Sequence, residues 1–216
     1  ADGVRMIKGA IFDLDGTLLD SMSLWDTIGN DYLRSFGIET KENLAETFKT
    51  FTLEESAQYY RTHYGVSLST CEIIKGINDM IGDFYRNTVP MKKGAAEFLE
   101  SLAQRQIKMC IATVTDRQLA KAALSRLNMQ NYFTGILTSE EVGCGKNSPL
   151  IYRTALAHLG TKKQETLVFE DTYHALMTAK NDGFPVAAVY DEREKKQAEM
   201  RKNSDYYITD FTKAAI

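Results

Sequence analysis

The 216-residue chain has 26 Lys and Arg residues against 29 Asp and Glu residues, which gives a formal net charge of −3. This balance provides no basic excess to bind a phosphate backbone, and we expect no nucleic-acid partner. The apolar runs are far shorter than the roughly 20 residues of a membrane span, so the sequence predicts a cytoplasmic protein that does not bind a membrane.

The three cysteines, Cys71, Cys110 and Cys144, show no Cys-x-x-Cys spacing. Their odd number and spacing indicate free thiols in a reducing compartment rather than disulfides or a zinc site.

The first predicted element is an apolar strand that ends in the sequence Asp13-Leu14-Asp15-Gly16-Thr17. Alternate residues of an extended chain point the same way, so Asp13 and Asp15 would both face the region beyond the strand. Two carboxylates held close together repel, which favours either a bound divalent cation or one protonated carboxyl. Taken alone, an Asp-x-Asp-Gly sequence also occurs in calcium loops and in solvated turns.

The next segment is predicted to be a helical insert. A βαβ unit needs only ~30 residues, yet 100 positions separate Asp13 from Thr113 (113 − 13). Residues 21–88 contain no proline and carry apolar residues at helical spacings, such as Trp25 and Ile28. We therefore assign residues 21–90 to a small all-helical cap domain, and residues 6–20 with 91–216 to the main domain.

The remainder of the chain alternates between helical and strand patterns. The predicted helices cover 93–105, 116–127, 148–159 and 172–182, and the predicted strands cover 108–113, 134–138, 166–170 and 185–190. This alternation predicts an α/β fold, a Rossmann-like parallel sheet with helices on both faces. Ligands of such open sheets bind beyond the carboxyl ends of the strands, where the polar residues of this chain accumulate.

Four of these strand-end segments resemble, in order, the four motifs of the haloacid dehalogenase-like superfamily. The first is Asp13 to Thr17, the second ends in Thr113, the third contains Lys146, and the fourth is Glu170-Asp171. The resemblance extends from about Met6 to Ile208. An insert directly after the first motif is similar to the helical cap of the branch that contains beta-phosphoglucomutases and related phosphatases.

This resemblance implies a Mg²⁺-dependent phosphatase whose partner is a small phosphorylated metabolite. Asp13 would be the nucleophile that forms an aspartyl-phosphate, and Asp15 would be the general acid and base. The Mg²⁺ would bind the Asp13 carboxylate, the Asp15 backbone carbonyl and the Asp171 carboxylate. Glu170 would support these ligands rather than bind the metal itself.

The resemblance also implies a binding site for the transferring phosphoryl group. Thr113 and Lys146 would contact its oxygens, together with backbone amides of the turn that contains Gly16 and Thr17. Each residue has a simpler interpretation when taken alone: Thr113 as a strand-end hydroxyl, Lys146 as a surface lysine, and the Glu170-Asp171 pair as acids at a helix N-terminus.

Alternative functions remain open within this resemblance. The dehalogenases of the superfamily lack the second aspartate, so Asp15 favours phosphoryl transfer. Sugar phosphomutases tend to have a histidine at the position of Trp25 and a loop with Gly and Arg near Phe48 to Glu54, and this chain has neither. A hydrolase is therefore preferred to a mutase, and a non-catalytic phosphate- or metal-binding module is less favoured still. The substrate could be a sugar phosphate, a polyol phosphate or a nucleotide, and we expect a monomer.

Overall fold

The computed structural model describes residues 6–216, and within this range the strands form one parallel sheet. Its strands are β1 (Gly9–Phe12), β2 (Lys108–Thr113), β3 (Ile136–Thr138), β4 (Thr166–Glu170), β5 (Val186–Val189) and β6 (Tyr206–Ile208). Their spatial order is β3-β2-β1-β4-β5-β6. The predicted α/β fold with a parallel sheet and a helical insert is confirmed.

Helices occupy every connection of the sheet. The segment between β1 and β2 contains α1 (Ser23–Arg34), α2 (Leu44–Thr47), α3 (Leu53–Tyr64), α4 (Thr70–Asn87) and α5 (Ala95–Gln104). The later connections contain α6 (Arg117–Arg126), α7 (Ser139–Val142), α8 (Leu150–Leu159), α9 (Tyr173–Asn181) and α10 (Gln197–Asn203). None of the helices in residues 6–216 is both long enough and apolar enough to cross a membrane.

The central strands are apolar because both faces of the sheet are covered. All residues of β1, β4 and β5 are buried, as expected for parallel strands between two helical layers. Phe12 stacks on Phe169 of the neighbouring strand with a centroid distance of 4.2 Å, and Phe98 from α5 packs against Phe12 edge-on with a centroid distance of 6.4 Å. This packing fixes the register at the end of β1, where the amide of Asp13 still donates to the Phe169 carbonyl at 3.0 Å.

The chain folds into two compact units. The first comprises the N-terminal segment through Asp20 and Val89–Ile216, and it contains the sheet with α5 to α10. The second is the helical insert Ser21–Thr88, whose own core includes Tyr32, Leu44, Tyr60 and Ile73.

Local sequence signals explain how the helices of the insert begin. Thr52 and Glu55 form a reciprocal capping box at the start of α3, with hydrogen bonds of 3.1 and 3.3 Å. Ser69 caps α4 by accepting the amide of Glu72 at 3.2 Å.

The insert ends at Thr88, whereas the sequence placed the boundary after residue 90. Pro90 belongs with the first unit because its carbonyl accepts the amide of Asp20 at 2.9 Å. Likewise, the amide of Lys92 donates to the Leu18 carbonyl at 2.8 Å. The outgoing and returning segments are thus hydrogen-bonded to each other.

The structure adds elements that the sequence pattern did not indicate. Strand β6 has only three residues, and its two tyrosines are half-buried, so it lacks the apolar run that identified the other strands. The short helix α7 is a single turn, and its C-cap is Gly143, where φ is +97°.

A glycine at the start of α5 is required by the local packing. Gly94 has φ +79°, and a Cβ there would lie 2.7 Å from the backbone nitrogen of Thr212. Gly160 has a similar φ of +70°, but among the described residues nothing would approach its Cβ within 4 Å.

We expect Gly160→Ala to lower the free energy of unfolding by about 1 kcal/mol. Gly94→Ala should lower it by about 1–3 kcal/mol more because of the overlap. Urea unfolding of both variants checks this, and equal losses would contradict the role of the Thr212 contact.

Candidate active site

Three buried carboxylates meet where β1 and β4 end. Asp13 follows β1, Glu170 is the last residue of β4, and Asp171 follows it. Oxygens of the three side chains lie within 4.8 Å of one another, and all three residues are buried. The proximity results from the sheet order, because β1 and β4 are paired in parallel with Phe12 opposite Phe169.

Lys146 provides the positive charge next to these carboxylates. Its Nζ donates to Asp13 Oδ1 and to Glu170 Oε1, both at 2.6 Å. Burial lowers the pKa of Lys146, but the neighbouring charges of Asp13 and Glu170 outweigh burial and raise it overall. The lysine is therefore an ammonium at neutral pH, and it is not the solvated surface residue that its sequence context alone suggests.

The hydroxyl of Thr17 lies between two of the carboxylates. Thr17 Oγ1 is 3.1 Å from Asp13 Oδ2 and 3.2 Å from Asp171 Oδ1. A hydroxyl has a single hydrogen, so it cannot fully satisfy both oxygens at once. Asp13 Oδ2 and Asp171 Oδ1 thus lie on either side of one neutral donor.

The cluster has more negative than positive charge. Burial, followed by the charge of Asp13, raises the pKa of Glu170 and of Asp171. If all three carboxylates are ionised, the single ammonium of Lys146 leaves two negative charges uncompensated. Carboxylate oxygens are ligands that Mg²⁺ prefers, and a divalent cation would neutralise this excess. The donor set therefore fits a metal site.

Tyr152 is a member of this network that the sequence did not reveal. Its hydroxyl donates to Glu170 Oε1 at 2.6 Å, the same oxygen that Lys146 contacts. Burial and the charge of Glu170 raise the pKa of Tyr152, so the phenol keeps its proton. In the sequence Tyr152 lies on the apolar face of α8 next to Ile151, which is the pattern of an ordinary core residue.

Asp15 has a different partner from the other carboxylates. The hydroxyl of Thr115 donates to Asp15 Oδ2. Thr113, the last residue of β2, accepts the amide of Thr115 on its own hydroxyl at 3.0 Å. Thr115 was not among the predicted site residues, although its spacing from Thr113 repeats the spacing of Asp13 and Asp15.

The turn after β1 uses its amides internally. Gly16, at φ +80°, donates its amide to the Leu19 carbonyl at 2.9 Å, and Thr17 donates to the Leu14 carbonyl at 3.3 Å. The predicted contacts of these two amides with a phosphoryl group would require them to change partners, and they stay a prediction.

Glu170 and Asp171 immediately precede Thr172, and the sequence alone allowed them to be ordinary acids at the N-terminus of a helix. Thr172 is the N-cap of α9 and accepts the amide of Ala175 at 3.4 Å. Glu170 instead contacts Lys146 and Tyr152, and Asp171 contacts Thr17. The two carboxylates thus belong to the buried cluster.

Comparisons with known proteins agree with this architecture. Residues 10–189 match the haloacid dehalogenase-like hydrolase family. A curated relative, the phosphorylated carbohydrates phosphatase of Thermotoga maritima, is 24% identical over 190 residues that cover 82% of each chain. The validoxylamine A 7'-phosphate phosphatase of Streptomyces hygroscopicus subsp. limoneus is 26% identical and covers 96% of this chain and 95% of its own. The crystal structure of a putative beta-phosphoglucomutase from Thermotoga maritima superposes with a TM-score of 0.83 at 23% identity, over 94% of both chains.

A parallel sheet with an acidic cluster at its carboxyl edge and a helical insert after β1 defines a class of α/β hydrolases. The chain belongs to the haloacid dehalogenase-like hydrolase family, in the branch that contains beta-phosphoglucomutase-like proteins and phosphatases, with its cap between β1 and β2. It is a phosphatase of this family.

The buried hydrogen bond of Tyr152 gives a test of the cluster. Tyr152→Phe removes a donor from a buried carboxylate, so we expect the free energy of unfolding of the metal-free protein to fall by about 1–3 kcal/mol. The matched control is Tyr132→Phe, because Tyr132 donates to Glu100 at 2.7 Å on the exposed surface. Its loss should stay below about 0.5 kcal/mol. Urea unfolding in the presence of chelator compares the two, and equal losses would show that Tyr152 does not stabilise the cluster.

Proposed function

We propose that the protein is a Mg²⁺-dependent phosphatase that hydrolyses the phosphomonoester of a small sugar or polyol through an aspartyl-phosphate. The observation that carries this proposal is the position of Asp13, a buried carboxylate at a strand end with an ammonium at 2.6 Å and a second carboxylate nearby. A nucleophile that must approach an anionic phosphate needs this positive charge beside it.

The chemistry assigns complementary roles to Asp13 and Asp15. A carboxylate oxygen of Asp13 attacks phosphorus while the bond to the substrate oxygen breaks, and Asp15 gives its proton to that leaving oxygen. Asp15, now ionised, takes a proton from a water molecule whose oxygen attacks the same phosphorus. The bond to Asp13 then breaks, and inorganic phosphate is released.

The contacts favour a division of roles among the buried acids. Glu170 Oε1 is already engaged by Lys146 and Tyr152, so we assign Glu170 to holding the lysine. Asp13 and Asp171, with the Asp15 backbone carbonyl, would hold the Mg²⁺. When bound, the ion would balance the excess negative charge and orient a phosphoryl oxygen.

The same residues would bind the phosphoryl group. Lys146 would exchange part of its contact with Asp13 for a phosphoryl oxygen, and the hydroxyl of Thr113 would donate its hydrogen to another. The turn amides at Gly16 and Thr17 complete the proposed set.

The substrate class rests on the relatives. The two curated relatives described above are named as a phosphorylated carbohydrates phosphatase and a validoxylamine A 7'-phosphate phosphatase. A sugar phosphomutase is the second candidate, because the superposed Thermotoga structure is titled a putative beta-phosphoglucomutase.

The first test is phosphate release from glucose 6-phosphate, sorbitol 6-phosphate, glycerol 3-phosphate and 4-nitrophenyl phosphate. Asp13→Asn should lower the release rate by about a thousandfold or more, because the amide cannot act as nucleophile. Asp79→Asn is the control, since Asp79 is exposed and forms a 3.0 Å ion pair with Lys75 in the insert; it should stay at the wild-type rate. Normal activity of Asp13→Asn would refute the nucleophile assignment. Isomerised sugar phosphate without free phosphate would support the mutase.

The second test is metal dependence. Chelator should reduce phosphate release to background, and added Mg²⁺ should restore it, because the proposed ligands are hard oxygen donors. Asp171→Asn should raise the Mg²⁺ concentration needed for half-maximal rate by about tenfold or more, since even the loss of a residue that supports a metal ligand typically costs this much. Unchanged activity in chelator would remove the metal from the proposal.

A further inference from the structure

The loop after β2 holds a threonine against Asp15. Thr115 lies two residues beyond the end of β2 and is half-buried, whereas Val114 between the two threonines is 64% exposed. The Thr115 hydroxyl donates to Asp15 Oδ2, a contact between side chains 100 positions apart in the sequence. The contact is possible because β1 and β2 are adjacent parallel strands.

The loop that presents Thr115 is fixed at both ends. On one side, the amide of Thr115 donates to Thr113 Oγ1 at 3.0 Å. On the other, Asp116 is the N-cap of α6 and accepts the amides of Gln118 at 3.0 Å and Leu119 at 3.3 Å. Because this backbone is already constrained, the Thr115 hydroxyl can hold the Asp15 carboxyl in one orientation with little further loss of conformational entropy.

We propose that Thr115 is a positioning residue that holds the Asp15 carboxyl in the orientation needed for proton transfer. The inference rests on the proposed function, in which Asp15 is the general acid and base. Thr115 acts through Asp15, so it matters in both half-reactions. It orients the carboxyl toward the leaving oxygen in the first and toward the attacking water in the second.

This role predicts an effect that depends on the leaving group. An alkoxide is a poor leaving group and needs the proton from Asp15, whereas 4-nitrophenolate leaves readily without it. Thr115→Val keeps the size of the side chain and the amide contact with Thr113, and removes only the hydroxyl. We expect kcat/KM to fall by about 10- to 100-fold for the alkyl phosphate that the wild type turns over fastest. For 4-nitrophenyl phosphate the fall should be about threefold or less.

The second half-reaction gives an independent signal. Because Asp15 also activates the water, Thr115→Val should hydrolyse its aspartyl-phosphate slowly. With 4-nitrophenyl phosphate, rapid mixing should therefore show a burst of 4-nitrophenol close to one equivalent per enzyme, followed by a slower steady rate.

Two further variants distinguish positioning from a general structural effect. Thr115→Ser keeps the hydroxyl and should remain within about threefold of wild type for both substrates. Thr154→Val removes a hydroxyl that bonds to the Leu150 carbonyl at 2.8 Å within α8, and should leave the kinetics unchanged.

The possible outcomes separate the inference from the proposed function. Equal losses for alkyl and aryl phosphates, no burst, or failure of Thr115→Ser to restore the rate would overturn the role of Thr115 and leave the phosphatase intact. Absence of Mg²⁺-dependent phosphate release from wild type with all four compounds would overturn the proposed function, and the inference with it.

Discussion

The contact between Lys146 and the buried carboxylates is the interaction on which the site depends. Three ionised carboxylates buried with oxygens within 4.8 Å of one another repel strongly, and a compensating charge lowers that cost. Lys146 supplies this charge with two contacts of 2.6 Å. The lysine comes from the segment between α7 and α8, so the same contacts tie that segment to the end of the sheet. Charge balance and loop position are therefore set by one side chain.

The sheet order explains why these residues meet. Strand β1 lies between β2 and β4, although the helical insert and α5 separate β1 from β2 in the chain. The carboxyl ends of β1 and β4 bring Asp13 next to Glu170 and Asp171, and the end of β2 brings Thr115 to Asp15. Acidic and hydroxyl residues that are far apart in the sequence therefore lie in one site, because the strands that carry them are neighbours in a parallel sheet.

The sequence predicted the framework of this site better than its supporting contacts. Buried parallel strands have continuous apolar runs, and a polar residue at their ends is conspicuous, so Asp13, Asp171 and the strands themselves could be identified. Tyr152 could not, because a phenol that hydrogen-bonds inside a core has the same helical spacing as one that only packs. Thr115 was missed because a loop hydroxyl has no pattern until its partner is known. The short strand β6 lacked an apolar run for the same kind of reason.

The neighbouring residues Glu170 and Asp171 have separate surroundings despite their adjacency. Glu170 accepts from an ammonium and a phenol on one oxygen, which makes it an anchor for Lys146. Asp13 Oδ2 and Asp171 Oδ1 share one neutral donor, the Thr17 hydroxyl, whereas Asp13 Oδ1 accepts from the ammonium of Lys146. On the two acids proposed to bind the metal, one oxygen of each therefore faces the other across a neutral hydroxyl. A divalent cation held by these two acids would offset their repulsion, and its binding would therefore stabilise the folded protein.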